Sequence, residues 1–176
     1  VAFFESDIFL PAYGYSLMVA VITMIFSTIL GTTLSLFLVR TKFRGQEVAR
    51  AFFMSPLMLP GIVMGLSLYL FYLSTGIGLN RSLTGLIIGH VLVTCPYVIG
   101  TVSAALTGFD TSLEEASRSL GASPWQTFRK VTLPMITPGI IAGATFAFIV
   151  SFGQFDVSLF LAPPDATPLP MALYIS

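Results

Sequence analysis

Two side chains able to do proton, metal or nucleophile chemistry lie in an apolar stretch, His90 and Cys95. An imidazole can shuttle a proton or hold a metal, and a thiolate can attack a carbonyl. Here they stand five residues apart with no carboxylate to orient the ring. No second His, Cys or carboxylate sits at ligand spacing, which argues against a metal centre. A hydrogen-bonded histidine inside a helix bundle accounts for His90 better than an intramembrane enzyme does. The chain has no His-Glu-x-x-His helix, Gly-x-Ser-x-Gly turn, paired-cysteine motif, phosphate-binding glycine loop or Walker sequence. No catalytic residue and no resident cofactor or metal is expected. Energised work by this chain must draw on a partner.

A second kind of chemistry, docking, is written into residues 110–134, DTSLEEASRSLGASPWQTFRKVTLP, the longest polar stretch. Ser112 and Glu115 have capping-box spacing, which predicts a helix starting at Ser112 as its cap. Glu114 and Glu115 fall in the first turn and Arg118 in the last, as the helix dipole favours, with Glu114 and Arg118 also paired at i,i+4. Leu113, Ala116 and Leu120 make a small apolar stripe, and Gly121 is the expected left-handed stop. Ser123, Pro124 and Gln126 open a second short helix as cap, first-position proline and reciprocal partner. Trp125 and Phe128 share one of its faces. Small residues (Ala116, Ser117, Ala122) are expected outward at the glycine bend. Two well-capped helices of this kind imply that something docks there.

The elements that must position this hairpin are membrane spans. The chain is 55% hydrophobic and 9% charged with mean hydropathy +0.91, far from a soluble domain's balance. Windows 8–39, 51–80, 82–109 and 131–155 contain no Asp, Glu, Lys or Arg. Each exceeds the ~20 apolar residues a helix needs to cross the hydrocarbon core. The expected fold is therefore all-α and integral to the membrane, with spans near 14–39, 52–73, 84–106 and 137–161. A single cysteine excludes an intrachain disulfide, and a net charge of zero carries no nucleic-acid signal.

Charge placement predicts the orientation. Arg40, Lys42, Arg44 and Arg50 separate the first two windows, and Arg118, Arg129 and Lys130 separate the last two. Only Arg81 lies between the second and third. The positive-inside rule puts both basic loops, including 107–136, in the cytoplasm. The N-terminal stretch 1–11, with Glu5 and Asp7, and the proline-rich segment around Asp165 then face outside. No signal peptide is read at the N-terminus.

Helix breakers and polar groups mark candidate pathway positions. Gly31 and the hydroxyl residues of the first span permit close helix contact. Pro56, Pro60, Gly61 and Gly65 interrupt the second span, which suits either a transport pathway or a packing kink. Thr137 and Pro138 read as the capped start of the fourth span. From Pro138, about 27 Å of helical rise places Ser151, Gln154, Asp156 and Ser158 in its outer part. Asp156 there could meet a polar or cationic solute, or simply touch water at the membrane edge. Ser151, Gln154, Asp156 and Pro60 are the pathway candidates.

Glu115-Ala116-Ser117, then Gly121, then Val131, Leu133 and Pro134 resemble the EAA motif of binding-protein-dependent ABC importer permeases. The family pattern is Glu-Ala-Ala, three residues, Gly, nine residues, an aliphatic residue, one residue, then Leu-Pro. The spacing matches throughout, with Ser117 in place of Ala and Val131 in place of Ile. SLEEASRSLGAS, TFRKVTLPMITPGIIAG and PLMLPGIVMG are most similar to the spermidine/putrescine-type branch. Members of that branch often carry an acidic pair where this chain has Gly153 and Gln154, with Asp156 displaced.

The resemblance implies a six-span subunit of which this chain holds four. It implies that Glu115, Ala116 and Gly121 form the core of a contact with a cytoplasmic ATPase. Glu114, Ser117, Leu120, Ala122 and Trp125 join that expected interface as neighbours. Two ATPase subunits, binding ATP and Mg, would drive the assembly. A second permease subunit, in a homologous heterodimer or a homodimer, would complete the pathway, and an extracytoplasmic solute-binding protein would deliver the solute. The implied location is a bacterial or archaeal inner membrane. A passive channel whose hairpin anchors some other partner is the competing reading.

Overall fold

The computed structural model describes residues 9–175, and the acidic N-terminal residues Glu5 and Asp7 lie outside that range. The described residues are helical throughout their ordered elements, with no strand among them. Helix α1 runs Phe9–Arg40. It therefore takes in Pro11, expected in the external segment. Proline is tolerated in a first turn because its missing N–H would have had no intrahelical partner. Next come α2 (Gln46–Met54), a 3-10 turn (Ser55–Met58), α3 (Gly61–Thr75) and α4 (Leu83–Thr107). The hairpin contributes α5 (Ser112–Ser119) and α6 (Pro124–Thr127), followed by a π turn (Phe128–Thr132). Then follow α7 (Leu133–Phe152), α8 (Asp156–Leu161) and α9 (Leu169–Ile175).

Helices α1, α4 and α7 pack on one another and form the core of the bundle. Small and hydroxyl residues let them close up, as the sequence predicted for the first span. Ser27 and Thr94 hydroxyls are 2.7 Å apart, and Ser35 donates to the Ile99 carbonyl at 3.2 Å. A β-carbon on Gly31 would lie 2.6 Å from Val98 Cβ. A β-carbon on Gly143, in α7, would meet Thr101 Oγ1 at 2.6 Å. These contacts make α1 and α4 parallel and α7 antiparallel to both. The C-terminal ends of α1 and α4 and the N-terminal end of α7 therefore share one end of the bundle. Arg40, Arg50, Arg118, Arg129 and Lys130 collect there.

Among the described residues, three helices are long and apolar enough to cross a bilayer: Phe9–Arg40, Leu83–Thr107 and Pro124–Phe152. The second expected span is instead a pair, Gln46–Met58 and Gly61–Thr75, bent by 106°. Proline explains the break. Leu59 is extended (φ −92°, ψ 135°), the conformation forced on a residue preceding proline, and Pro60 then caps α3.

The last span also departs from expectation at both ends. Thr137 and Pro138 do not start it: Pro138 lies inside α7, and Thr137 donates to the Leu133 carbonyl at 2.7 Å. The helix begins at Pro124 and continues through the π turn. There the Leu133 N–H reaches the Phe128 carbonyl, one residue beyond the α-helical pattern. Pro134 follows immediately and cannot sit under the Lys130 carbonyl, so the widened turn relieves that clash. At its other end α7 stops at Phe152. Asp156 opens a separate helix, so an uninterrupted rise from Pro138 to Asp156 does not exist.

Candidate functional site

The hairpin between α4 and α7 is built by its caps. Ser112 is not the cap of α5, because its hydroxyl makes no capping bond. Thr111 holds that position without a side-chain bond, and Asp110, one residue earlier, accepts from the Ser112 N–H at 2.9 Å through Oδ1, which holds the Asp110 carboxyl below the usual carboxylate range. The C-terminal stop is as expected. Gly121 has φ +87°, its N–H reaches the Arg118 carbonyl at 2.9 Å, and the Ala122 N–H reaches the Ser117 carbonyl at 3.2 Å. This pair of bonds is a Schellman motif. Ser123 and Gln126 make the predicted reciprocal box (2.8 and 3.3 Å), and Trp125 stacks on Phe128. A Ser117–Thr127 hydroxyl contact of 3.2 Å ties the two short helices together.

Of the residues expected at a docking surface, most do face out. Leu120 is 90% exposed and Trp125 67%, with Leu113, Glu115, Ala116 and Gly121 exposed around them. Ser117 and Ala122 are half-buried. The Leu113, Ala116 and Leu120 stripe is thus a surface feature.

Glu114 is the exception, turned inward and 5% exposed. Arg40 Nη1 donates to its Oε2 at 3.0 Å and Nη2 to its Oε1 at 2.5 Å. Thr132 donates its hydroxyl to Oε1, and Arg118 Nη2 stands 3.6 Å from Oε2. Hydrogen bonding from Arg40, against the opposing effect of burial, holds this carboxyl below its ordinary value, with help from Thr132 and the two guanidinium charges. A residue so engaged within its own chain has no free face to offer a partner. Sequence reasoning recovered its i,i+4 contact with Arg118 but missed Arg40 and Thr132. Arg40 is 74 residues away, and no local pattern announces the pair.

A second polar group lies at the other end of the core. His90 is 2% exposed and bridges Ser151 (Nδ1 to Oγ, 2.8 Å) and Ser158 (Nε2 to Oγ, 3.1 Å). Proton counting settles the donors. Ser158 gives its single proton to the Gln154 carbonyl at 2.6 Å, so Nε2–H of His90 donates to Ser158 and Ser151 donates to Nδ1. Thr94 likewise gives its proton to the His90 carbonyl at 2.8 Å, leaving Ser27 to donate to Thr94. The bundle-histidine reading of His90 therefore fits. No cluster of three metal-ligating side chains occurs among the described residues.

This arrangement removes Ser151 from the pathway candidates, since it is 3% exposed and committed to His90. Gln154 is half-buried at the break between α7 and α8. Asp156, also half-buried, lies directly over Gly61, where any β-carbon would overlap its carboxylate. Pro60, exposed, precedes that glycine, so the structure brings Pro60 and Asp156 together at the start of α3.

Comparison with known proteins agrees with this architecture. The family described as binding-protein-dependent transport system inner membrane component matches residues 25–176. The putrescine transport system permease protein PotI of Escherichia coli is 37% identical over 177 residues, covering 98% of this chain and 63% of that protein. A probable molybdenum ABC transporter permease protein of Haloferax volcanii is 35% identical over 177 residues, covering 97% and 65% respectively. The spermidine/putrescine transport system permease protein PotC of Escherichia coli is 34% identical over 170 residues, covering 97% and 64%. The chain thus spans just under two thirds of the length of these relatives. An all-α bundle with bilayer-length apolar helices, a capped polar hairpin and a matching family pattern lead to one assignment: the chain belongs to the inner membrane components of binding-protein-dependent transport systems, the permeases of ABC importers.

Proposed function

We propose that this chain is half of the solute pathway of an ATP-driven importer and that hairpin 107–136 seats in a cytoplasmic ATPase subunit. The observation that carries this reading is the exposed apolar tip at the basic end, with Leu120 and Trp125 outward on a scaffold fixed by caps. Exposed large apolar groups clustered on a rigid polar element mark a protein contact. Glu115, Ala116 and Gly121 form the centre of that contact, with Leu120 and Trp125 as apolar anchors and Ser117 and Ala122 at its rim. ATP and Mg are held by two such ATPase subunits. Their closure drives two hairpins together and rocks the span bundles between outward-open and inward-open states.

A second permease subunit, homologous or identical, completes the pathway, and an extracytoplasmic binding protein delivers the solute. Gln154, Asp156 and Pro60 are the pathway groups of this chain. The solute is a polyamine or another small polar or organic solute, polyamines being favoured by the named relatives PotI and PotC and by the acidic character of Asp156. Co-purification tests the docking. Glu115→Lys should reduce the ATPase recovered with the full-length permease several-fold, and undiminished recovery would contradict direct contact.

A further inference from the structure

Helix α5 presents a structural oddity. Its single buried side chain is a carboxylate, Glu114. A short amphipathic helix ordinarily docks through apolar groups, whereas Leu113 and Leu120 here point outward. What joins α5 to the bundle beyond its neighbours α6 and the π turn is the fork of Arg40, the last residue of α1. The same carboxylate takes the hydroxyl of Thr132, the last residue of the π turn, where α7 begins. One side chain therefore fastens three elements: the hairpin, the end of α1 and the start of α7.

We propose that Glu114 is a positioning residue that transmits displacement of the docked hairpin to the spans. A bidentate guanidinium–carboxylate pair fixes direction as well as distance, so it carries load in two dimensions where a single hydrogen bond would pivot. α1, α4 and α7 interlock closely, so a load delivered to Arg40 and Thr132 moves the core as one body. Without the pair, the hairpin would still meet its partner through its outward face, but α5 would be left tied to the bundle by the chain at Gly108 and by its contacts with α6 and the π turn. This inference rests on the proposed docking, yet it concerns an inward-facing residue that the docking does not use.

The test uses the complete permease in complex with its ATPase, reconstituted in nanodiscs. Spin labels replace Thr111 beside α5 and Thr33 on the exposed side of α1, in a Cys95→Ala background. In the otherwise unaltered protein, the distance between labels should stay the same from the nucleotide-free to the ATP–vanadate state. In Glu114→Ala and Arg40→Ala it should shift or broaden by several ångströms on adding ATP–vanadate, with ATPase recovery retained. The double variant should behave like either single one, since both remove the same link. Glu114→Gln, which keeps the side chain's shape, should show a smaller shift. An unchanged distance in Glu114→Ala overturns the proposal. So does loss of the ATPase from that variant, which would make Glu114 a docking group, and so does failure of both Glu114 variants to insert, which would make it a folding group. Failure of the unaltered permease to bind its ATPase sinks the docking reading itself.

Discussion

Glu114 and Gly121 lie seven positions apart on one hairpin and should fail in different ways. Glu114 has its folded-state ionisation held below the ordinary value of 4.5, first by the Arg40 hydrogen bonds. A depressed carboxylate stabilises the fold above its unfolded value, and that contribution fades as pH falls through the folded value. The stability gap between the native protein and Glu114→Gln should therefore be constant from pH 7 to about 4.5 and shrink below it. Charged hydrogen bonds of this kind contribute about 2 kcal/mol. Thermal unfolding of the detergent-solubilised protein across that range measures it, and a gap that widens on acidification would contradict the pairing.

Gly121 has a left-handed backbone and open space around the position of a β-carbon. Within this chain Gly121→Ala thus carries only a backbone penalty, on the order of 1 kcal/mol. Gly121→Leu should insert normally yet abolish uptake, because on the proposed docking its bulk would meet the ATPase subunit. Membrane yield and transport, measured together, separate the two effects. Gly121 was legible in the sequence because its role is local. The inward turn of Glu114 was not, because burial at that site is set by a residue in a different helix.

At the scale of elements, the α3–α8 contact is close enough for a single change to part it. A β-carbon on Gly65 would lie 2.9 Å from both the Asp156 carbonyl oxygen and the Phe160 ring. Gly65→Val should therefore part α3 from α8, at about 1–3 kcal/mol for overpacking, and lower the thermal midpoint. The measurement is a melting curve compared with Gly14→Val, where no heavy atom lies within 4 Å of the added carbon. Equal midpoints would mean that α8 does not rest on α3. The helix breakers Pro60 and Gly61 were visible in the sequence as an interruption, but the 106° bend was not. Proline spacing says where a helix fails, and packing decides where the chain then goes. The reverse error occurred at Thr137 and Pro138, which carry the pattern of a helix start. The π turn upstream had already absorbed the proline problem and let the helix run through.

For the whole molecule, the two basic loops were expected on one side from charge alone. The structure gathers the C-terminal ends of α1 and α4 with the hairpin at one end, joined by the Arg40–Glu114 pair. A membrane-impermeant maleimide should then label Leu120→Cys only in inverted vesicles and Ser74→Cys only in right-side-out cells. Labelling of both from the same side would break the topology. The apolar windows and their alternating charge made the class of protein readable before any fold was known. The internal fastening of the hairpin is visible only in the folded structure, because it joins residues distant in the chain.

The proposed grip of the hairpin tip on a separate ATP-hydrolysing subunit can be caught covalently. The most direct measurement places a photo-crosslinking amino acid at Leu120 in the complete protein and irradiates intact cells. The expected product is a covalent adduct with a cytoplasmic subunit that carries nucleotide-binding motifs, lost when the crosslinker is moved to Ile141 on the exposed apolar side of α7. Adducts only with lipid, or with an extracytoplasmic protein, would contradict it.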